Sequence, residues 1–142
     1  MDVDPDRFAA LLAATLAAIV PDGFHVELAD DMLWFRSDQG RFPGQMGDYH
    51  AGSTGIWPRE DFITCTTHEG TAEKCAADVA RHALDVLQDY IAEAIHEPWP
   101  GQRVMPEPRT EVRGSALHLW YGDTDDPVLA CEPISLAGPA DA

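Results

Sequence analysis

Lysine is almost missing from this chain. Lys74 is the only one, arginine supplies the rest of nine basic residues, and 25 acidic residues oppose them for a net charge of −16. A chain so charged repels nucleic-acid phosphates and anionic membrane surfaces, so neither is expected as a partner. Cysteine is also scarce. Cys65, Cys75 and Cys131 make an odd count of three, which suggests no disulfide framework, and no Cys-x-x-Cys redox pair is present. Cys75 on a helix face and Cys131 in a strand read as small core residues, and a reducing cytoplasm is the expected compartment. Long hydrophobic runs are missing too. The best candidate, FAALLAATLAAIV from Phe8 to Val20, has 13 residues, too few to span a bilayer. Asp2, Asp4 and Asp6 precede it and outweigh Arg7, whereas a secretion signal needs a positive start. It reads as a helix of the mature protein.

What remains is enough for a folded domain. The 142 residues fit one domain, 1–142, which buries roughly 68–70% of the surface its unfolded form exposes. Richness in Ala, Asp, Pro and Arg with little Lys fits a high-GC bacterial source. The acidity is either a solvated surface or a means of steering toward a basic protein partner.

Local signals give an element order. Asp4 as N-cap and Pro5 at the first helical position start a helix, and Phe8, Leu11, Leu12, Leu16 and Ile19 form its apolar stripe. Ala10, Ala14, Ala17 and Ala18 leave its other side small, open to a sheet or another subunit. Phe24, Val26 and Leu28 alternate as a strand, Ala29-Asp30-Asp31 turn, and Met32 to Ser37 return with large residues on both faces, as a central strand would. From Asp38 to Glu60 periodicity is lost, so 38–60 is expected to be a long irregular loop. DFITCTT, Asp61 to Thr67, is β-branched and reads as a strand. Gly70 and Thr71 break and cap the chain before a helix from Ala72 to Ile95. That helix buries Cys75, Val79, Ala83, Val86, Leu87, Tyr90, Ile91 and Ala94, with Gln88 on its polar side. A Pro-rich connector covers 97–109. Three further strands follow, with Pro133 marking an edge or an early end, and a frayed tail at 137–142. The expectation is an α+β fold: a mainly antiparallel sheet with two helices packed on one face, order α-β-β-β-α-β-β-β. VELADDMLWF and EVRGSALHLW are faintly alike, as an internal duplication would make them.

No motif supports a catalytic, cofactor or metal site. In CTTHEGTAEKC, Cys65, His68 and Cys75 have ligand-like spacing, and His82 extends it. Cys75 and His82 on one helix face lie roughly 10.5 Å apart along the axis, too far to share a zinc ion. Cys65 and His68 alone are too few, so the stretch reads as a strand-to-helix joint. GDYHAGST, Gly47 to Thr54, lacks the lysine and the strand–helix setting of a phosphate loop. Its Asp48, Tyr49, His50, Ser53 and Thr54 read as a polar loop, with a triad left to geometry. Trp57 and Trp99 each precede a proline outside regular structure. They are the candidate partner-binding residues, by anchoring a protein contact or, alternatively, by folding back to cover the sheet.

LWFRSD, LQDYIAEAIHEPWPG, LHLWYGD and PVLACEPI together resemble a group of small, uncharacterised actinobacterial proteins of unknown function. The likeness covers most of the chain except 38–60 and implies no functional residue. The small size, acidity and helix–three strands–helix–strands order are also similar to type III secretion chaperones. That similarity implies a dimer that holds partner segments, although this chain ends in strands. The sequence thus points to a non-enzymatic, cytoplasmic, acidic protein-binding module, an adaptor or chaperone, with a basic partner and a homodimer as expectations. The alternative is a small-molecule enzyme or ligand-binding domain with the 38–60 loop as a lid.

Overall fold

A computed structural model describes residues 2–38, 53–68, 70–101 and 103–137. Their order is α1 (Pro5–Ala17), β1 (Phe24–Ala29), β2 (Met32–Ser37), β3 (Ser53–Ile56), α2 (Pro58–Thr67), α3 (Ala72–Ile95), β4 (Pro108–Arg113), β5 (Ala116–Gly122), β6 (Pro127–Ala130) and β7 (Ile134–Ser135). The fold is α+β. Three helices replace the expected two, and two antiparallel sheets replace one: β1-β2-β3, and β4-β5-β6 with β7 also on β5.

Helix α1 begins as its cap predicts, with the Asp4 carboxylate accepting from the Arg7 N–H at 3.1 Å. It ends at Ala17, short of the expected Val20. Phe8, Ala9, Leu12 and Leu16 are buried, and Ala10, Ala14, Ala17 and Ala18 face solvent. The β1–β2 hairpin turns on Asp30 and Asp31, whose φ values of 53° and 65° suit the short polar side chains that tolerate left-handed backbone. Strand β2 is central, as expected. Its Leu33 and Phe35 are fully buried opposite Leu28 and Val26 of β1, and Leu33 also faces Ile56 of β3.

Two expectations fail at 53–67. The irregular loop does not run to Glu60, because Ser53–Ile56 form β3 and Pro58 opens a helix. DFITCTT is the body of that helix, not a strand. Its start is favoured by Pro58 at the first position and by Glu60 and Asp61 in the first turn, where carboxylates meet the positive end of the dipole. Tertiary contacts then override the β-branched composition. Phe62 is buried 5.5 Å from the Phe8 ring, and Arg59 pairs with Asp6 at 2.7 Å.

Cys65 near the end of α2 is disulfide-bonded to Cys75 in the first turn of α3. The odd count concealed one pair and one free thiol, Cys131. The expectation of a reducing cytoplasm rested on unpaired cysteines, and that ground is removed. Helix α3 spans Ala72–Ile95 as expected, capped by Thr71 through the Lys74 N–H. One assignment on it changes. Gln88 is buried and not on the polar side, and its amide donates to the Pro106 carbonyl at 2.6 Å. A buried amide needs such a partner, and this one fastens the connector to the helix. That connector is shorter than 97–109, since β4 begins at Pro108.

In the second sheet, Leu117, Leu119 and Tyr121 of β5 face α3 and are buried. The Tyr121 hydroxyl donates to the Leu84 carbonyl at 2.6 Å, and Thr110 of β4 donates to the Ala77 carbonyl at 2.8 Å. Pro133 divides the expected last strand into β6 and β7. Helices α1 and α3 and the inner faces of both sheets contribute to one hydrophobic core. No helix among the described residues is long and apolar enough to cross a membrane.

Candidate partner-binding site

Trp57 sits at the position just before Pro58, with its main chain outside helical geometry and its carbonyl accepting from the Asp61 N–H at 2.9 Å. It is 49% exposed, unusual for so large an apolar side chain. Residues 57, 60, 61 and 64 follow helical i, i+3, i+4, i+7 spacing, which places them on one side. They line an open hollow of about 450 Å³: Trp57, Glu60, Asp61 and Thr64. An aromatic face beside two carboxylates suits an organic cation, through the ring quadrupole and through charge-assisted hydrogen bonds. The Arg59–Asp6 ion pair and the Phe8–Phe62 contact hold α2 on α1, so the hollow sits on a supported helix.

Trp99, the other candidate, is not part of this hollow. It folds back, with its ring 5.5 Å from Tyr121 at 72°, an edge-on contact over the second sheet. The two tryptophans therefore take the two alternatives between them: Trp57 stays exposed and Trp99 covers the sheet. Sequence reasoning found Trp57 and missed Glu60, Asp61 and Thr64. The signal available was the Trp-Pro start followed by paired acids, a helix opening hidden by the β-branched run behind it.

The remaining expectations are placed as follows. Asp48, Tyr49 and His50, the proposed lid residues, lie outside the described residues; Ser53 and Thr54 belong to β3. Cys65 is bonded to Cys75, so it and His68 do not form the start of a metal site. Among the described residues no group of three His, Cys, Asp or Glu side chains is placed to hold a metal ion. His68 follows the last residue of α2, and His96 caps α3 in a left-handed conformation.

A second hollow, also about 450 Å³, runs beside β4. Arg81, residues Glu107 to Glu111, Trp120 and Thr124 line it. Arg109 pairs with Glu107, and Arg113 with Glu111, each at 3.0 Å. The hydrogen bond and charge of Arg113 hold the Glu111 carboxyl below the usual carboxylate range. Two donors here, Arg109 Nε and Trp120 Nε1, are buried without an acceptor among the described residues. On α3, desolvation and the neighbouring charges of Asp85 and Glu93 raise the Asp89 carboxyl. Burial raises the Cys131 thiol to about 12, so it holds its proton and lacks the thiolate that reactivity needs.

Among the described residues, three helices and two antiparallel sheets form an α+β fold that carries the tryptophan–carboxylate hollow. No family model, no curated protein and no solved structure matches the chain.

Proposed function

We propose that this chain is a non-enzymatic, acidic protein-binding module whose Trp57 hollow takes an arginine or lysine side chain of a basic partner. The observation that carries this is Trp57, half exposed, with Glu60 and Asp61 lining the same hollow. An exposed tryptophan with two carboxylates desolvates a guanidinium on one side and neutralises it on the other. The net charge of −16 adds long-range attraction and speeds encounter with a basic surface. A role holding partner segments, as the likeness to type III secretion chaperones implies, fits this chemistry. The homodimer that the same likeness implies is part of the proposal.

The test is a titration with a short arginine-rich peptide, read by isothermal calorimetry at low and high salt. Binding is expected to weaken at least tenfold in Trp57→Ala and in Glu60→Gln/Asp61→Asn, while both variants keep the wild-type melting temperature. Equal affinity in all three proteins, or no binding at low salt, overturns the assignment of this hollow.

A further inference from the structure

We infer that β4 is a self-complementary edge that pairs antiparallel with β4 of a second copy of this chain, about a two-fold axis at Thr110. This rests on the homodimer of the proposed function, to which it assigns an interface, and it is independent of the Trp57 hollow.

The edge is open. β4 is the terminal strand of its sheet, paired only with β5 among the described residues. A hollow of about 450 Å³ lies along it. An unpaired strand edge presents a row of main-chain donors and acceptors ready for another strand.

The main-chain groups point the right way. Gly122 donates to the Glu107 carbonyl at 2.9 Å, and Pro108 stands opposite Tyr121. In an antiparallel ladder the hydrogen-bonded positions alternate. Glu107, Arg109, Glu111 and Arg113 therefore turn their main chain toward β5, and Pro108, Thr110 and Val112 turn theirs away from it. Across a two-fold at Thr110, its N–H and C=O meet those of the other Thr110. Val112 stands opposite Pro108 and donates to its carbonyl. Proline lacks an N–H, so that pair has one bond and not two. The register still agrees with the directions in which the free groups point.

The side chains then choose that register. On the solvent face β4 reads Glu107, Arg109, Glu111, Arg113, alternating in sign. About Thr110, Arg109 stands opposite Glu111 of the second copy and Glu107 opposite its Arg113, so every cross-strand pair is of opposite charge. Moving the axis to Arg109 or to Glu111 sets arginine against arginine or glutamate against glutamate. Moving the register by one residue turns the alternating face over. Opposite charges stabilise such pairs and like charges destabilise them, which specifies one register and opposes the others. The strip is neutral in a chain of net charge −16, so it is a place where two copies meet without added local repulsion.

Sedimentation velocity over a concentration series of the full chain tests this, with circular dichroism to confirm folding. Wild type is expected to dimerise. Arg109→Glu is expected to raise the dimer dissociation constant by more than about tenfold, because it sets glutamate against glutamate on both sides of the axis. Arg109→Glu/Glu111→Arg restores opposite pairs and is expected to return to within about threefold of wild type. Val112→Pro removes an N–H that turns away from β5 and that the dimer uses, and is expected to be a folded monomer; it serves if Arg109→Glu fails to fold. A monomeric wild type, a dimer that survives Arg109→Glu or Val112→Pro, or a folded double swap no tighter than Arg109→Glu overturns the inference.

Discussion

Cys65 and Cys75 join the end of α2 to the first turn of α3, with their Cα atoms 5.7 Å apart. The bond closes a loop of ten residues' separation, Cys65 to Cys75, so it restricts the unfolded chain. Such a closure stabilises by about 2–4 kcal/mol in the chain-entropy account. Reduction, or the Cys65→Ser/Cys75→Ser variant, is expected to lower the unfolding free energy by that amount in urea titrations. Addition of reductant should not change the double variant. A reductant effect below about 0.5 kcal/mol would remove the disulfide from the list of stabilising features.

Gly70 packs against this bond. A Cβ at this position would stand 2.7 Å from Cys65 Sγ and closer still to Cys75 Sγ. Neither sulfur can retreat while bonded. Gly70→Ala is therefore expected to cost about 1–3 kcal/mol in the oxidised chain. The cost should be smaller after reduction, when the sulfurs can separate. Urea unfolding of both proteins in both redox states forms a double cycle, with a coupling of at least about 0.5 kcal/mol expected. An alanine penalty that is the same with and without reductant would place its cause elsewhere in the joint.

These two residues mark where sequence legibility ended. α1, the β1–β2 hairpin and α3 were readable because each is specified within its own segment: Asp4–Pro5 and Thr71 as helix starts, Asp30–Asp31 as a turn, 3.6-residue stripes and period-2 alternation. α2 was misread because Ile63, Thr64, Thr66 and Thr67 favour strand locally, while Phe62 against Phe8 and the disulfide hold the segment helical from outside it. Cys65 and Cys75 could not be paired because their proximity depends on that same misassigned helix. Gln88 was assigned to the polar side because its partner, the Pro106 carbonyl, returns from 18 residues later. The candidate site was legible only in Trp57. Glu60, Asp61 and Thr64 join it only once 58–67 is a helix.

The Tyr121 hydroxyl and the Leu84 carbonyl, 2.6 Å apart in the core, give a second stability test. Tyr121→Phe keeps the ring and its edge contact with Trp99. It removes one hydrogen bond but leaves the Leu84 carbonyl within the α3 ladder. The expected loss is about 0.5–1.5 kcal/mol. A larger loss would mean that the hydroxyl also orders the connector. Trp99 fluorescence cannot be read alone among four tryptophans, so urea unfolding by far-UV circular dichroism is the appropriate measurement.

Alkaline pH should weaken the fold through acids that burial keeps protonated, among them the part-buried Cys131 and the buried Tyr90 and Tyr121. Burial raises the Cys131 thiol from its ordinary 9.0 to about 12 and the Tyr90 hydroxyl from 10.0 to about 12. Above these ordinary values the unfolded chain has released protons that the folded chain still binds. Stability is therefore complete below about pH 9 and falls as pH climbs toward 12. The urea midpoint should drop between pH 8.5 and 10.5 by less in Cys131→Ala than in wild type. The same burial predicts that the native thiol reacts with a disulfide reagent at pH 8 at least about tenfold more slowly than in urea. Cys131 is the one free cysteine, so the reaction reports on it alone while Cys65 and Cys75 remain bonded. Rapid native reaction, or identical alkaline slopes for wild type and Cys131→Ala, would show that the partial burial of Cys131, just after β6, does not protect its thiol.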